Sequence, residues 1–170
     1  GDNIVLIFED FMTIKYQVQE LLRIEKIFNK KEIQEEIDAY NPLIPDGTNL
    51  KATMLIMFPD VEVRRKMLFK LHDIENKIWL SCGDKKIIAY SDEDLDRSTD
   101  EKTSAVHFLR FQLEQDDIAD FVSSSEVRLG VDHPEYNKEI VLDEVAKESL
   151  QGDLKTCLLY TSDAADDIPR

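Results

Sequence analysis

The chain has 170 residues, 42% apolar and 34% charged, with 36 acidic against 21 basic side chains and a net charge of −15. Such a length and composition suit one folded domain with a real core and exclude a disordered chain. The charge argues against nucleic acid as a partner, since that affinity rests on clustered Lys and Arg; Lys30-Lys31, Arg64-Arg65-Lys66 and Lys85-Lys86 all have acidic neighbours and read as solvated faces.

In chain order, residues 3–8 predict a buried strand, with Ile4-Val5-Leu6-Ile7-Phe8 as its apolar run. Asp10 or Thr13 can cap the helix that follows, on which Phe11, Ile14, Val18, Leu21, Leu22 and Phe28 form one apolar stripe. Glu25 falls within that stripe, which predicts a buried carboxylate bonded to a cation from another element, for instance Arg110 or Arg64. Asn29 to Glu32 has capping-box spacing, so a second helix is expected with Ile33, Ile37 and Tyr40 on one face, ending at Asn41-Pro42. Pro42 to Asn49 reads as a rigid loop and Leu50 to Phe58 as a strand. Asp60 should cap a helix that turns Val63, Met67, Leu68 and Leu71 inward.

Gly83-Asp84 between two apolar runs predicts a hairpin of 77–82 with 85–90. Ser91 to Thr103 is polar and reads as a mobile surface loop. Ser104 to Leu113 is apolar on both faces, as in a central strand, with His107 on one face and Arg110 on the other. A short helix at Gln115–Val122, a strand at Glu126–Val131 and a last helix from about Lys138 to Leu150, stopped by Gly152, complete the order. Strands and helices neither alternate strictly nor segregate. The expected fold class is α+β, a single domain over residues 3–154 with a largely antiparallel sheet packed with several helices.

Cys82 and Cys157 stand alone, so neither a thiolate metal site nor a disulfide framework is expected. No apolar run approaches the roughly 20 residues of a membrane helix, and no signal peptide is visible; a reducing cytoplasm is the default. The start at Gly1 enters a strand at once, as if a preceding segment were missing. The end, Cys157 to Asp167, resembles translated sequencing adapter of the kind found on environmental gene fragments, so 155–170 is expected to be a non-native tail.

Among candidate chemical groups, His72, His107 and His133 lack the i, i+4 partner of a zinc helix, and no metal site is predicted. His72 suits a helix C-terminus, His107 a hydrogen-bonded core position, and His133, before Pro134, a turn. Glu20 and Glu25 project about 140° apart on one helix and cannot act as a pair. Cys82 has no visible activator, and there is no Gly-rich phosphate loop and no G-x-S-x-G.

Phe8-Glu9, Gln19 to Glu25, Tyr40-Asn41-Pro42-Leu43-Ile44-Pro45, Leu50-Lys51-Ala52-Thr53, Lys102 to Val106 and Asp132-His133-Pro134-Glu135-Tyr136 together resemble the bacterial family called domain of unknown function 3501. The resemblance spans about residues 3–154 and implies no established activity. It does imply an association with rubrerythrin-like and iron–sulfur oxidoreductase-like proteins, hence a soluble accessory role in oxygen or peroxide defence. Two function classes follow. Glu20, Arg23, Glu25, Arg110, His133 and Tyr136 are the candidate ligand- or partner-binding residues, and one class is an accessory or interaction domain with a protein partner and without a cofactor, favoured by the lack of any complete catalytic constellation. The other is a metal- or small-ligand-binding protein or enzyme built on His133, Tyr136, Glu20 and Arg23, which requires those side chains to share a cleft.

Overall fold

A computed structural model describes residues 1–83, 85–91 and 102–160, with side chains up to 154. The elements are β1 (Ile4–Glu9), α1 (Phe11–Glu25), α2 (Lys30–Tyr40), β2 (Asn49–Ile56), α3 (Val61–Lys70), β3 (Ile78–Cys82), β4 (Lys85–Ile88) and β5 (Tyr90–Ser91). They continue with β6 (Val106–Gln112), α4 (Gln115–Ser123), β7 (Val127–His133), β8 (Tyr136–Val141) and α5 (Glu144–Tyr160). Short 3-10 turns lie at Asn41–Leu43 and Ile74–Lys77.

The class is α+β, and the pairing is antiparallel throughout, but the strands divide into two sheets. One has the order β1-β2-β6-β5 and the other β4-β3-β7-β8. Side chains alternate along β2 and β6, so Leu50, Ala52, Met54, Ile56, Leu109 and Phe111 point inward. They meet Ile78, Leu80, Val127, Leu129 and Val131 of the second sheet in one core cluster, joined by Phe121 of α4 and by Leu150 and Leu154 of α5. β6 lies between β2 and β5, which explains its apolar residues on both faces.

Local chemistry sets the helix starts. Asp10 accepts the Thr13 N–H while the Thr13 hydroxyl accepts the Asp10 N–H at 2.9 Å, a reciprocal cap for α1. Asn29 accepts from Lys31 at 2.9 Å and Asp60 from Val63 at 2.8 Å. Gly83, at φ +65, supplies the left-handed turn between β3 and β4.

Four expectations change. Residues 136–141 form β8 against β7, and the last helix starts at Glu144 and runs through Gly152, where a Cβ would meet nothing within 4 Å. Only Ile14 and Val18 of the α1 stripe are buried, while Phe11 and Phe28 face solvent. Glu25 is exposed rather than buried and forms no ion pair among the described residues. It is the last residue of α1, and the chain leaves the helix at Lys26 with φ +55, so the stripe ends where Glu25 would have turned inward. On α3, Val63 is exposed, whereas Met67 and Leu68 pack half-buried against the core and Leu71, just past the helix, is fully buried. The expected loop Ser91–Thr103 falls mostly on residues 92–101, outside the described residues; of its ends, Ser91 closes β5 and Thr103 is buried. Among the described residues, no helix is long and apolar enough to cross a membrane.

Candidate functional site

Packing accounts for most of the chain but leaves unexplained a helical hairpin, a groove beneath it and a cleft at the sandwich margin. The hairpin is α1 with α2. Met12, Tyr16 and Ile24 are each more than 60% exposed, Phe11 is 59% exposed and Phe28, between the helices, reaches 82%. Glu20 and Arg23 form an exposed pair on the same helix at 2.6 Å. The hydrogen bond from Arg23 holds the Glu20 carboxyl below its ordinary range and raises the guanidinium in turn.

Strand register builds the groove. Glu9 of β1 stands opposite Lys51 of β2, Lys51 opposite Arg110 of β6, and Arg110 opposite Tyr90 of β5, so all four share the outer face of the first sheet. Pro42 and Leu43 wall the groove, and Thr53 and Phe108 complete its floor. Glu9 is 4% exposed, yet among the described residues its carboxylate accepts only from neutral donors: the Thr13 hydroxyl at 2.8 Å, the Gln17 amide at 3.0 Å and the Thr53 hydroxyl at 2.7 Å. The Lys51 ammonium donates to the Pro42 carbonyl at 2.7 Å, and the Arg110 guanidinium lies 4.7 Å from the centre of the Tyr90 ring.

At the margin, β1 and β8 are the outer strands of different sheets and are not paired with each other. Between them opens a cleft of about 250 Å³ lined by Ile4, Leu6 and Phe8 on one side and by Tyr136, Lys138 and Ile140 on the other. Leu129 and Val131 form part of its depth.

The histidines have structural roles. The His133 Nδ1 accepts the Glu135 N–H at 3.2 Å, so its Nε2 carries the proton and donates to the His72 carbonyl at 3.0 Å. Both ring nitrogens are engaged in holding the β7–β8 turn against the end of α3. His107 is fully buried, with Nε2 at 2.7 Å from the Thr103 hydroxyl and 3.1 Å from the Ser104 carbonyl. The Thr103 hydroxyl donates to Glu75 at 2.7 Å, so it accepts from the imidazole rather than surrendering a proton to it. That direction is the reverse of nucleophile activation, in which the imidazole takes the hydroxyl proton. The Cys82 thiol is pushed up to about 11, first by burial and then by Asp117 and Asp120, which leaves it protonated and unreactive at neutral pH. Among the described residues, no group of three or more His, Cys, Asp or Glu could hold a metal ion.

The polar residues singled out in the sequence are therefore dispersed. Glu20 and Arg23 pair on the hairpin, Glu25 stands alone at its end, and Arg110 enters the groove. His133 and Tyr136 are cross-strand partners at the β7–β8 turn, where the Tyr136 oxygen accepts the Asn3 N–H at 3.3 Å. No described cleft joins that pair to Glu20 and Arg23. Sequence reasoning missed Glu9, Lys51 and Lys138 as lining residues, because each owes its place to a strand partner far along the chain.

With two packed antiparallel sheets and five helices among its described residues, the chain falls in the class of α+β domains. It belongs to the family described as protein of unknown function (DUF3501), whose model matches residues 1–154. It is similar to a protein of unknown function from Burkholderia pseudomallei K96243, known from a crystal structure. That similarity has a TM-score of 0.84 and 46% identity, covering 91% of this chain and 81% of the other. No curated protein matches.

Proposed function

We propose that the domain is an accessory protein that works by docking a partner on the α1–α2 hairpin. The observation that carries this reading is the exposure of Phe11, Met12, Tyr16 and Ile24 on α1 and of Phe28 between the helices, while the two helices contribute only Ile14 and Val18 to the buried interior. Large apolar side chains left exposed among charged residues mark a candidate interaction surface. The net charge of −15 favours a partner whose contact surface is basic around an apolar centre and steers it into place. The partner class we favour is a rubrerythrin-like or iron–sulfur protein of oxygen or peroxide defence. Support for that choice is the association implied by family resemblance, whereas the exposed apolar side chains support only the choice of the hairpin. Titrating a purified rubrerythrin-like protein and a purified iron–sulfur oxidoreductase against the domain tests both parts. Binding should weaken as salt rises and drop at least about tenfold in a Met12→Glu, Tyr16→Glu variant. Equal binding by the variant would remove the hairpin as the site; failure of both candidates to bind would remove the redox assignment.

A further inference from the structure

We propose that the cleft between β1 and β8 binds a small amphipathic carboxylate, an aliphatic or aromatic acid whose apolar body lies between the sheets. This site is separate from the docking hairpin and does not depend on it. Ile140, opposite Leu129 in the register, belongs to the inward face of the second sheet yet is 53% exposed. Ile4, Leu6 and Phe8 across the gap are only partly buried against the core. An apolar occupant would remove these inward-facing surfaces from water, the main source of affinity in such a site. About 250 Å³ suits a ligand below drug size, and inside the polar rim of Tyr136, Lys138 and Glu139 the apolar side chains offer nothing to the hydroxyls of a sugar or nucleoside.

The polar groups at the rim select the head. Lys138 stands opposite Val131, an inward position, and its ammonium makes no hydrogen bond or ion pair among the described residues. Elsewhere Lys70, Lys77, Lys85 and Lys86 each hold a carboxylate, as expected in a chain with 36 acidic side chains. Glu139, also at the rim, is held by Arg128 at 2.8 Å. The Tyr136 oxygen accepts the Asn3 N–H, which leaves its own proton to donate. An ammonium and a hydroxyl donor at the lip of an apolar cleft match a carboxylate joined to a hydrocarbon. An alcohol can accept the Tyr136 hydrogen bond but carries no charge to pair with Lys138.

Calorimetric titration of the protein with decanoate, decanol and acetate tests this. Decanoate should bind saturably at one site and far more tightly than acetate. Lys138→Glu, at an exposed position, should weaken decanoate about tenfold through loss of a charge-assisted bond and leave decanol unchanged. Ile140→Trp, which fills the cleft from an exposed position, should weaken both. Decanoate binding no tighter than acetate, or unaltered by Lys138→Glu, would overturn the proposal. So would a dimer in sedimentation that Ile140→Trp dissociates and decanoate does not, since the cleft would then belong to a second copy.

Discussion

Along β2 and β6 every second side chain is shut away from water, whereas α2 buries no residue and α1 buries only Ile14 and Val18. Both regions show a regular apolar period in the sequence. In the strands the period faces another sheet; in the hairpin much of it faces solvent. Periodicity thus shows which side chains share a face, and the partner of that face decides whether it stabilises the fold or recognises something else.

The widest test of this contrast sets the core against the hairpin. Phe111→Ala should cost about 3–5 kcal/mol, because Phe111 is fully buried between the sheets. Tyr16→Ala should stay within about 0.5 kcal/mol. Urea unfolding reads both, and a comparable loss from Tyr16→Ala would make the hairpin part of the core.

A smaller effect comes from the outer face of the second sheet, where the Trp79 ring covers Gly130 and the Lys86 ammonium sits 3.9 Å above the ring centre. A Cβ at Gly130 would lie 2.1 Å from a Trp79 ring carbon. Gly130→Ala should therefore destabilise by about 1–3 kcal/mol, with a change in near-ultraviolet circular dichroism as the indole is displaced. Wild-type stability and an unchanged spectrum would show that the ring yields freely.

The smallest expected effect has the opposite sign. Burial, and then the Asp10 carboxylate, push the Asp153 carboxyl up to about 6 from an ordinary 3.8. The folded chain holds that proton more tightly than the unfolded chain. The Asp153 contribution therefore favours folding more as pH falls from about 6 to about 4, and its full penalty stands above pH 6. Asp153→Asn should raise stability at pH 7 by on the order of 1 kcal/mol and flatten the profile across that window. Melting curves at pH 4 and pH 7 check it; an equal shift at both would attribute the gain to something other than charge.

Much of the fold was legible because it rests on local chemistry. Asp10, Asn29 and Asp60 mark helix starts, Gly83 marks a hairpin, and the two-sided apolarity of 104–113 marks a central strand. β8 was misread as helix because its six residues form a short run whose type depends on pairing with β7. Gly152 read as a stop, yet a glycine inside a helix costs only about 1 kcal/mol, and burial of Leu150 and Leu154 on either side outweighs it. Glu25 was misplaced because the stripe was extended past the turn at Lys26. The cleft was invisible for a stronger reason. Its walls, Leu6 and Ile140, are brought together only by the packing of two sheets, which no local period encodes.

The alternation of the chain between its sheets also constrains how the protein can be made. β1 and β2 enter the first sheet, β3 and β4 the second, β5 and β6 return to the first, and β7 and β8 to the second. A ribosome must therefore release Gln112 before the first sheet has all its strands, and Val141 before the second does. Any contiguous piece that holds the whole second sheet, Ile78 to Val141, also carries β5 and β6 of the first. Fragments split between the sheets should be insoluble when expressed alone, and the intact chain should refold more slowly than a helical domain of equal length.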